Sequence, residues 1–265
     1  MAPESTQIHV LMGDRDATVS PIKLVLWLVL IWTSTLVLGA GIYYPSAEMQ
    51  RDTCLAREEL MGLVDLPLEN GFIKLPAEYS SANVLLRAEV GEAFMRMADS
   101  AQKCGVSLNV LSGFRSFDRQ VRIWQRKWER YHSLPDSIRV LKILQYSMLP
   151  GASRHHWGTE VDLNSLTNNY FLSAEGKQVY EWLLEHAWSF GFYQPYKNHS
   201  ETDLRVNEEK WHWSYFPLSS TYLECWNELN IQANIDESSF SGFKWAQKLN
   251  AFQLYANRID QPNSK

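Results

Sequence analysis

An α+β fold preceded by one membrane-spanning helix is the architecture the sequence predicts, and three observations lead there. A long uncharged run lies near the N-terminus. The rest of the chain carries helical periodicity interrupted by short strand-like stretches. Those stretches do not alternate regularly with helices, as they would in a doubly wound sheet. With 265 residues the chain has room for one or two domains. Its 45% apolar and 21% charged content argues against a disordered polymer.

The uncharged run extends from Leu24 to Tyr44. At ~1.5 Å per residue it reaches roughly 31 Å, about one bilayer core. It is too long for an ordinary signal-peptide core, and no small-x-small cleavage site follows it. We expect an uncleaved anchor over 24–44 behind an N-terminal segment, 1–23. Residues 45–80 are expected to be a linker, helical over 46–64. Arg15 and Lys23 before the span balance Arg51 and Arg57 after it, so basic-residue counting does not orient it.

A first amphipathic helix is expected over Ala88–Lys103, where Val90, Phe94, Met97 and Ala101 share one face and Gly105 supplies a stop. Val106–Leu111 reads as a buried strand. Ser116–Tyr131 is a second helix, with Val121, Trp124 and Trp128 aligned. A helix and loop follow over 132–152, ending at Pro150-Gly151. Gly158–Leu163 is a short strand. Ser173 caps a helix that Gly191 closes. Phe192-Tyr193 and Trp211–Tyr215 read as strands, and Phe240–Tyr255 as a final amphipathic helix. Eleven tryptophans and twelve tyrosines suit an aromatic-lined groove or simply a filled core. Cys54, Cys104 and Cys225 allow at most one intramolecular disulfide and no cysteine zinc site, and Cys104 can be a buried thiol. The formal charge of −5 argues against a nucleic-acid partner.

Two stretches concentrate metal-binding side chains: Ser153-Arg-His155-His156-Trp-Gly158-Thr-Glu160-Val-Asp162, and Glu209-Lys-Trp-His212-Trp213. Two imidazoles and a carboxylate suit catalytic zinc, which keeps a position open for water. On one straight helix His155 and Asp162 would stand ~10.5 Å apart along the axis, too far to share an ion. The chain must therefore fold back, and Gly158 permits the bend. On a strand, His212 and Ser214 point to one face while Trp211 and Trp213 point to the other. Glu209 precedes His212 by one turn, a place from which a carboxylate can serve as general base. A third stretch, Ser112-Gly113-Phe114-Arg115-Ser116-Phe117-Asp118-Arg119-Gln120, sits where a strand meets a helix. There the Arg115 fork can meet an anionic oxygen.

In this order, SGFRS, SxHxxGxxxD and ExWH resemble the VanY-type D-alanyl-D-alanine carboxypeptidases, zinc peptidases of the lysostaphin, D-Ala-D-Ala peptidase and hedgehog fold group. The resemblance implies a small antiparallel sheet flanked by helices around a zinc groove, with the core over 81–216 and a helical extension over 217–265. It implies one zinc ion held by His155, Asp162 and His212, Glu209 as catalytic base, and Arg115 as the arginine that holds substrate. It also implies Ser153 and Gln120 in the substrate site. The expected substrate is the peptidoglycan stem peptide, cleaved by a carboxypeptidase; an endopeptidase or a non-catalytic wall-binding module are the alternatives. Such a substrate puts the domain on the periplasmic or outer face of the membrane. Four features depart from the family pattern: Glu160 where alanine is usual, His156 beside His155, phenylalanines at 114 and 117, and the C-terminal extension.

Overall fold

The computed structural model describes residues 54–64, 71–198, 206–229 and 235–262. The expected anchor over 24–44 lies outside them. No helix among the described residues is long and apolar enough to cross a membrane.

The chain is α+β, with two small antiparallel sheets flanked by helices. A hairpin-like pair joins β1 (Phe72–Lys74) to β2 (Leu85–Arg87). The larger sheet contains β3 (Val110–Ser112), β4 (Glu160–Leu163), β5 (Phe192–Tyr193) and β6 (His212–Tyr215), in the order β3-β4-β6-β5, antiparallel throughout. The central pair sets Glu160 opposite Ser214, Val161 opposite Trp213, and Asp162 opposite His212. Successive strand residues face opposite ways. One face thus gathers Glu160, Asp162, His212 and Ser214, while Val161 and Trp213 enter the core beneath.

That core is closed by the Ala88–Lys103 helix, which buries Val90, Phe94, Met97 and Ala101, and by the Ala174–His186 helix. Ser173 caps the latter by accepting the Gly176 N–H. The helix is shorter than expected, because Ala187–Phe190 tightens into a 3₁₀ turn before Gly191. The strand expected from Val106 begins only at Val110.

A second core lies on the other side of the site. It joins Trp124 and Trp128 of the Phe117–Arg130 helix and Val140 and Ile143 of the Asp136–Leu144 helix to the C-terminal residues. The extension is an integral wall of the domain. Its Phe216–Glu228 helix contributes Tyr222, Cys225 and Trp226. The single helix expected to Tyr255 is two, Phe243–Lys248 and Ala251–Asn257, because Asn250 takes a left-handed conformation at φ 49°.

The expected linker also differs. Leu60 and Met61 are buried in the second core, and Phe72 packs edge-to-face on Phe114. Helix in this stretch is confined, among the described residues, to Arg57–Leu60. A disulfide ties Cys54 to Cys225, while Cys104 is exposed rather than buried. The isolated strands of the hairpin were not legible because β1 lies in the stretch read as linker and each strand has only three residues.

Candidate metal centre

The turn after Ser153 brings the three expected ligands together. Residues Arg154–Trp157 form one 3₁₀ turn that ends at Gly158, whose φ of 74° reverses the chain into β4. A Cβ on Gly158 would lie 2.4 Å from Phe72, so both backbone and packing require glycine. His155, Asp162 and His212 are buried, and one ligand atom from each lies within 4.8 Å of the others.

Each ligand is held from behind, with one atom facing inward. The His155 Nδ1–H donates to the Gly113 carbonyl at 2.8 Å. The inward Nε2 is 3.4 Å from Asp162 Oδ1. Gly113 is small by need, because a Cβ there would lie 2.7 Å from the Leu85 carbonyl. The His212 Nε2–H donates to Glu160 Oε2 at 2.8 Å, leaving Nδ1 3.2 Å from Asp162 Oδ1. Arg115 pairs with Asp162 Oδ2, whereas the buried Oδ1 has no hydrogen-bond partner. Ligands about 2.1 Å from a tetrahedral zinc stand about 3.4 Å apart. The 3.2 and 3.4 Å separations, the orphaned Oδ1 and the two-imidazole, one-carboxylate donor set fit that metal.

The electrostatics agree. Burial would raise the Asp162 carboxyl, but its contacts with His155 and the Arg115 guanidinium hold it well below the usual range. Burial pushes His155 down to about 4, as a neutral ligand requires. Burial also disfavours charge on His212, yet its bonds to Asp162 and Glu160 push it up to about 9.

Glu209 is buried, with Oε2 3.4 Å from His212 Nδ1. The turn before β6, in which the His212 N–H donates to the Glu209 carbonyl, places it there. Burial raises its carboxyl to about 7. Arg115 sits between β3 and the Phe117–Arg130 helix. Its backbone N–H donates to the His155 carbonyl and its Nε–H to Ser112 Oγ. Its fork is thus engaged by Asp162 in this structure, rather than standing clear for substrate. Ser153, Arg115 and Glu209 line a cavity of about 720 Å³ together with all three ligands. Tyr146, Tyr196 and Trp211 are its aromatic walls, and most other rings lie in the two cores. Gln120 is not brought to this cavity. It is fully buried, and its amide donates to the Met148 carbonyl at 2.7 Å.

Two residues beside the ligands have other work. The His156 Nδ1–H donates to the Arg115 carbonyl, and its Nε2 accepts the Gly151 N–H, so both nitrogens are engaged away from the ligand group. For Glu160 the sequence left open a place facing solvent or one behind the metal ligands, and the structure shows the latter. Completely buried, Glu160 takes the Ser214 hydroxyl at 2.8 Å, the Arg154 guanidinium at 3.1 Å and the Thr159 hydroxyl at 3.0 Å, besides His212. Burial would raise it, but Arg154 and His212 bring it down to about 2. Its position two residues from Asp162 on a strand was the available signal, since period two puts both on one face.

Comparison with known proteins gives a concordant result. A family model described as VanY, D-alanyl-D-alanine carboxypeptidase, matches residues 83–218. The chain is 29% identical over 153 residues to a putative carboxypeptidase, YodJ, of Bacillus subtilis (strain 168), covering 56% of this chain and 52% of that protein. It is 28% identical over 138 residues to a D-alanyl-D-alanine carboxypeptidase of Enterococcus faecium, covering 52% and 39% respectively. The chain thus spans about half the length, or less, of these curated relatives. A solved structure of VanYB in complex with D-Alanine-D-Alanine aligns with a TM-score of 0.46 at 24% identity, covering 61% of this chain and 91% of that one.

Proposed function

This chain belongs to the VanY family of D-alanyl-D-alanine carboxypeptidases, and on that premise we propose that it is a zinc-dependent peptidase removing the C-terminal D-alanine from peptidoglycan stem peptides. The observation that carries the reading is the convergence of His155 Nε2, His212 Nδ1 and Asp162 Oδ1 beside Glu209, at one wall of a peptide-sized cavity. His155, Asp162 and His212 would hold the zinc. When bound, it supplies a Lewis acid that polarises a carbonyl and acidifies water.

The chain's own groups do the rest. Glu209 Oε2 takes a proton from the attacking water and returns it to the leaving D-alanine nitrogen as the C–N bond breaks. A carboxyl raised to about 7 is poised for both transfers near neutrality. Arg115, held at the cavity wall by Ser112 and Asp162, adds positive potential for the peptide's terminal carboxylate. Ser153 lines the same wall.

The working side of the membrane follows from the substrate: the domain acts outside the cytoplasm, tethered by the Leu24–Tyr44 run with residues 1–23 inside. The Cys54–Cys225 disulfide supports an oxidising compartment.

The test uses the purified chain on defined stem pentapeptides and tetrapeptides, with the released amino acid identified. D-alanine release that stops with chelator, returns with zinc and falls at least about 100-fold in Glu209→Gln is the expected result. Release that ignores chelator or survives that substitution contradicts it. Cleavage only of cross-linked dimers would make the enzyme an endopeptidase instead.

A further inference from the structure

The Phe117–Arg130 helix presents Arg119, Arg122, Arg126 and Arg130 at three- and four-residue spacing, all exposed. They lie on the side away from the buried Gln120, Trp124 and Trp128. Like charges at this spacing repel one another. None of the four joins an ion pair among the described residues, although Asp118 and Glu129 share the helix. The stripe is also continuous with the metal-centre cavity. Arg126 and Arg130 line that cavity together with Lys127. Arg119, Arg122 and Arg126 line a second hollow of about 680 Å³, which meets the first at Arg115 and Arg126 and has no acidic side chain in its lining. In a chain whose net charge is −5 this is a local reversal of sign.

We propose that the arginine stripe binds the carboxylates that a stem peptide carries on residues before its scissile bond, so that the protein selects polyanionic peptides. The inference rests on the peptidase reading above and adds the substrate class to it. Arginine is suited to the task, because its planar fork matches a carboxylate in two parallel hydrogen bonds. The dimensions agree as well. From Arg119 to Arg130 the helix rises about 16 Å, close to the length of five extended peptide residues. Lys127 contributes nearer the centre. Its ammonium donates to the Tyr146 carbonyl at 2.9 Å, and burial lowers it to about 8, so an approaching anion would favour its charge.

Binding is measured in Glu209→Gln, where turnover does not obscure it, with two synthetic pentapeptides ending in D-alanyl-D-alanine. They differ only in a glutamyl carboxylate or its carboxamide. The carboxylate peptide is expected to bind about fivefold tighter. That preference should shrink in high salt and vanish in Arg122→Gln/Arg126→Gln, both exposed sites where glutamine keeps the helix. Equal affinity for the two peptides, no binding of either, or a preference that survives the double substitution overturns the proposal. So does a double variant that loses only binding to anionic vesicles or single-stranded DNA. If the preference is present but the parent chain releases no D-alanine, the stripe stands and the peptidase reading fails.

Discussion

Glu160 shows how much of the site depends on a residue that is not itself a ligand. Its carboxylate fixes the His212 tautomer so that Nδ1 faces inward, and it neutralises Arg154, which is 1% exposed. Outer carboxylates of this kind set imidazole orientation, and their loss typically weakens metal binding about 10–100-fold. Removing Glu160 also leaves a buried guanidinium without its counter-charge, a change that costs about 3–5 kcal/mol. Glu160→Ala is therefore expected to lose both stability and zinc affinity, measured by denaturant unfolding and by competition with a chromogenic chelator. Arg154→Met/Glu160→Ala should recover much of the stability but little of the affinity. Recovery of both together would show that Glu160 acts on packing alone. The expected ligands, Glu209 and Arg115 were picked out by residue type and by spacing matched to the family motifs, and the structure sets them around one cavity. What Glu160 does was left open, because the sequence does not show that Arg154 and Ser214 reach it from a turn and a neighbouring strand.

At the scale of the element, the 3₁₀ turn Arg154–Trp157 is pinned by His156, and the pinning depends on protonation. Burial, the largest influence, lowers His156 to about 3 from its ordinary 6.5. Its Nε2 accepts the Gly151 N–H and has no place for a proton. Above pH 6.5 folded and unfolded chains are both neutral there. Between 6.5 and about 3 the unfolded chain binds a proton that the folded chain excludes, so stability falls as pH falls. Unfolding free energies at pH 7 and 4.5 should show that His156→Gln loses less stability on acidification than the parent; parallel losses would contradict the assignment. Helices with long apolar periods, such as Ala88–Lys103, were readable to the residue. The break at Asn250 and the tightening at Ala187–Phe190 were not, because turn conformations there override an otherwise continuous helical pattern.

At the scale of the whole molecule, the candidate metal centre lies where two cores meet, and stretches outside the family match help to build one of them. Leu60 and Met61 from the N-terminal side and Tyr222 and Trp226 from the C-terminal side share a cluster, and the Cys54–Cys225 disulfide closes a separation of 171 residues around it. A cross-link over so long a loop contributes about 2–5 kcal/mol, so reductant should lower the thermal midpoint and shift the chain's unfolding to lower denaturant. An unchanged midpoint would show that Cys54 is not engaged in solution. Composition could say only that one disulfide was possible; the pairing appears once the flanking segments are seen to pack together.

The central claim is that His155, Asp162 and His212 hold one divalent cation jointly, and titration of the metal-stripped chain with zinc tests it most directly. One zinc per chain is expected, weakened by orders of magnitude in His155→Ala, Asp162→Asn and His212→Ala alike, with His156→Gln still binding one equivalent. Zinc that binds undiminished after any of those three substitutions, or that fails to bind the parent chain, contradicts the account.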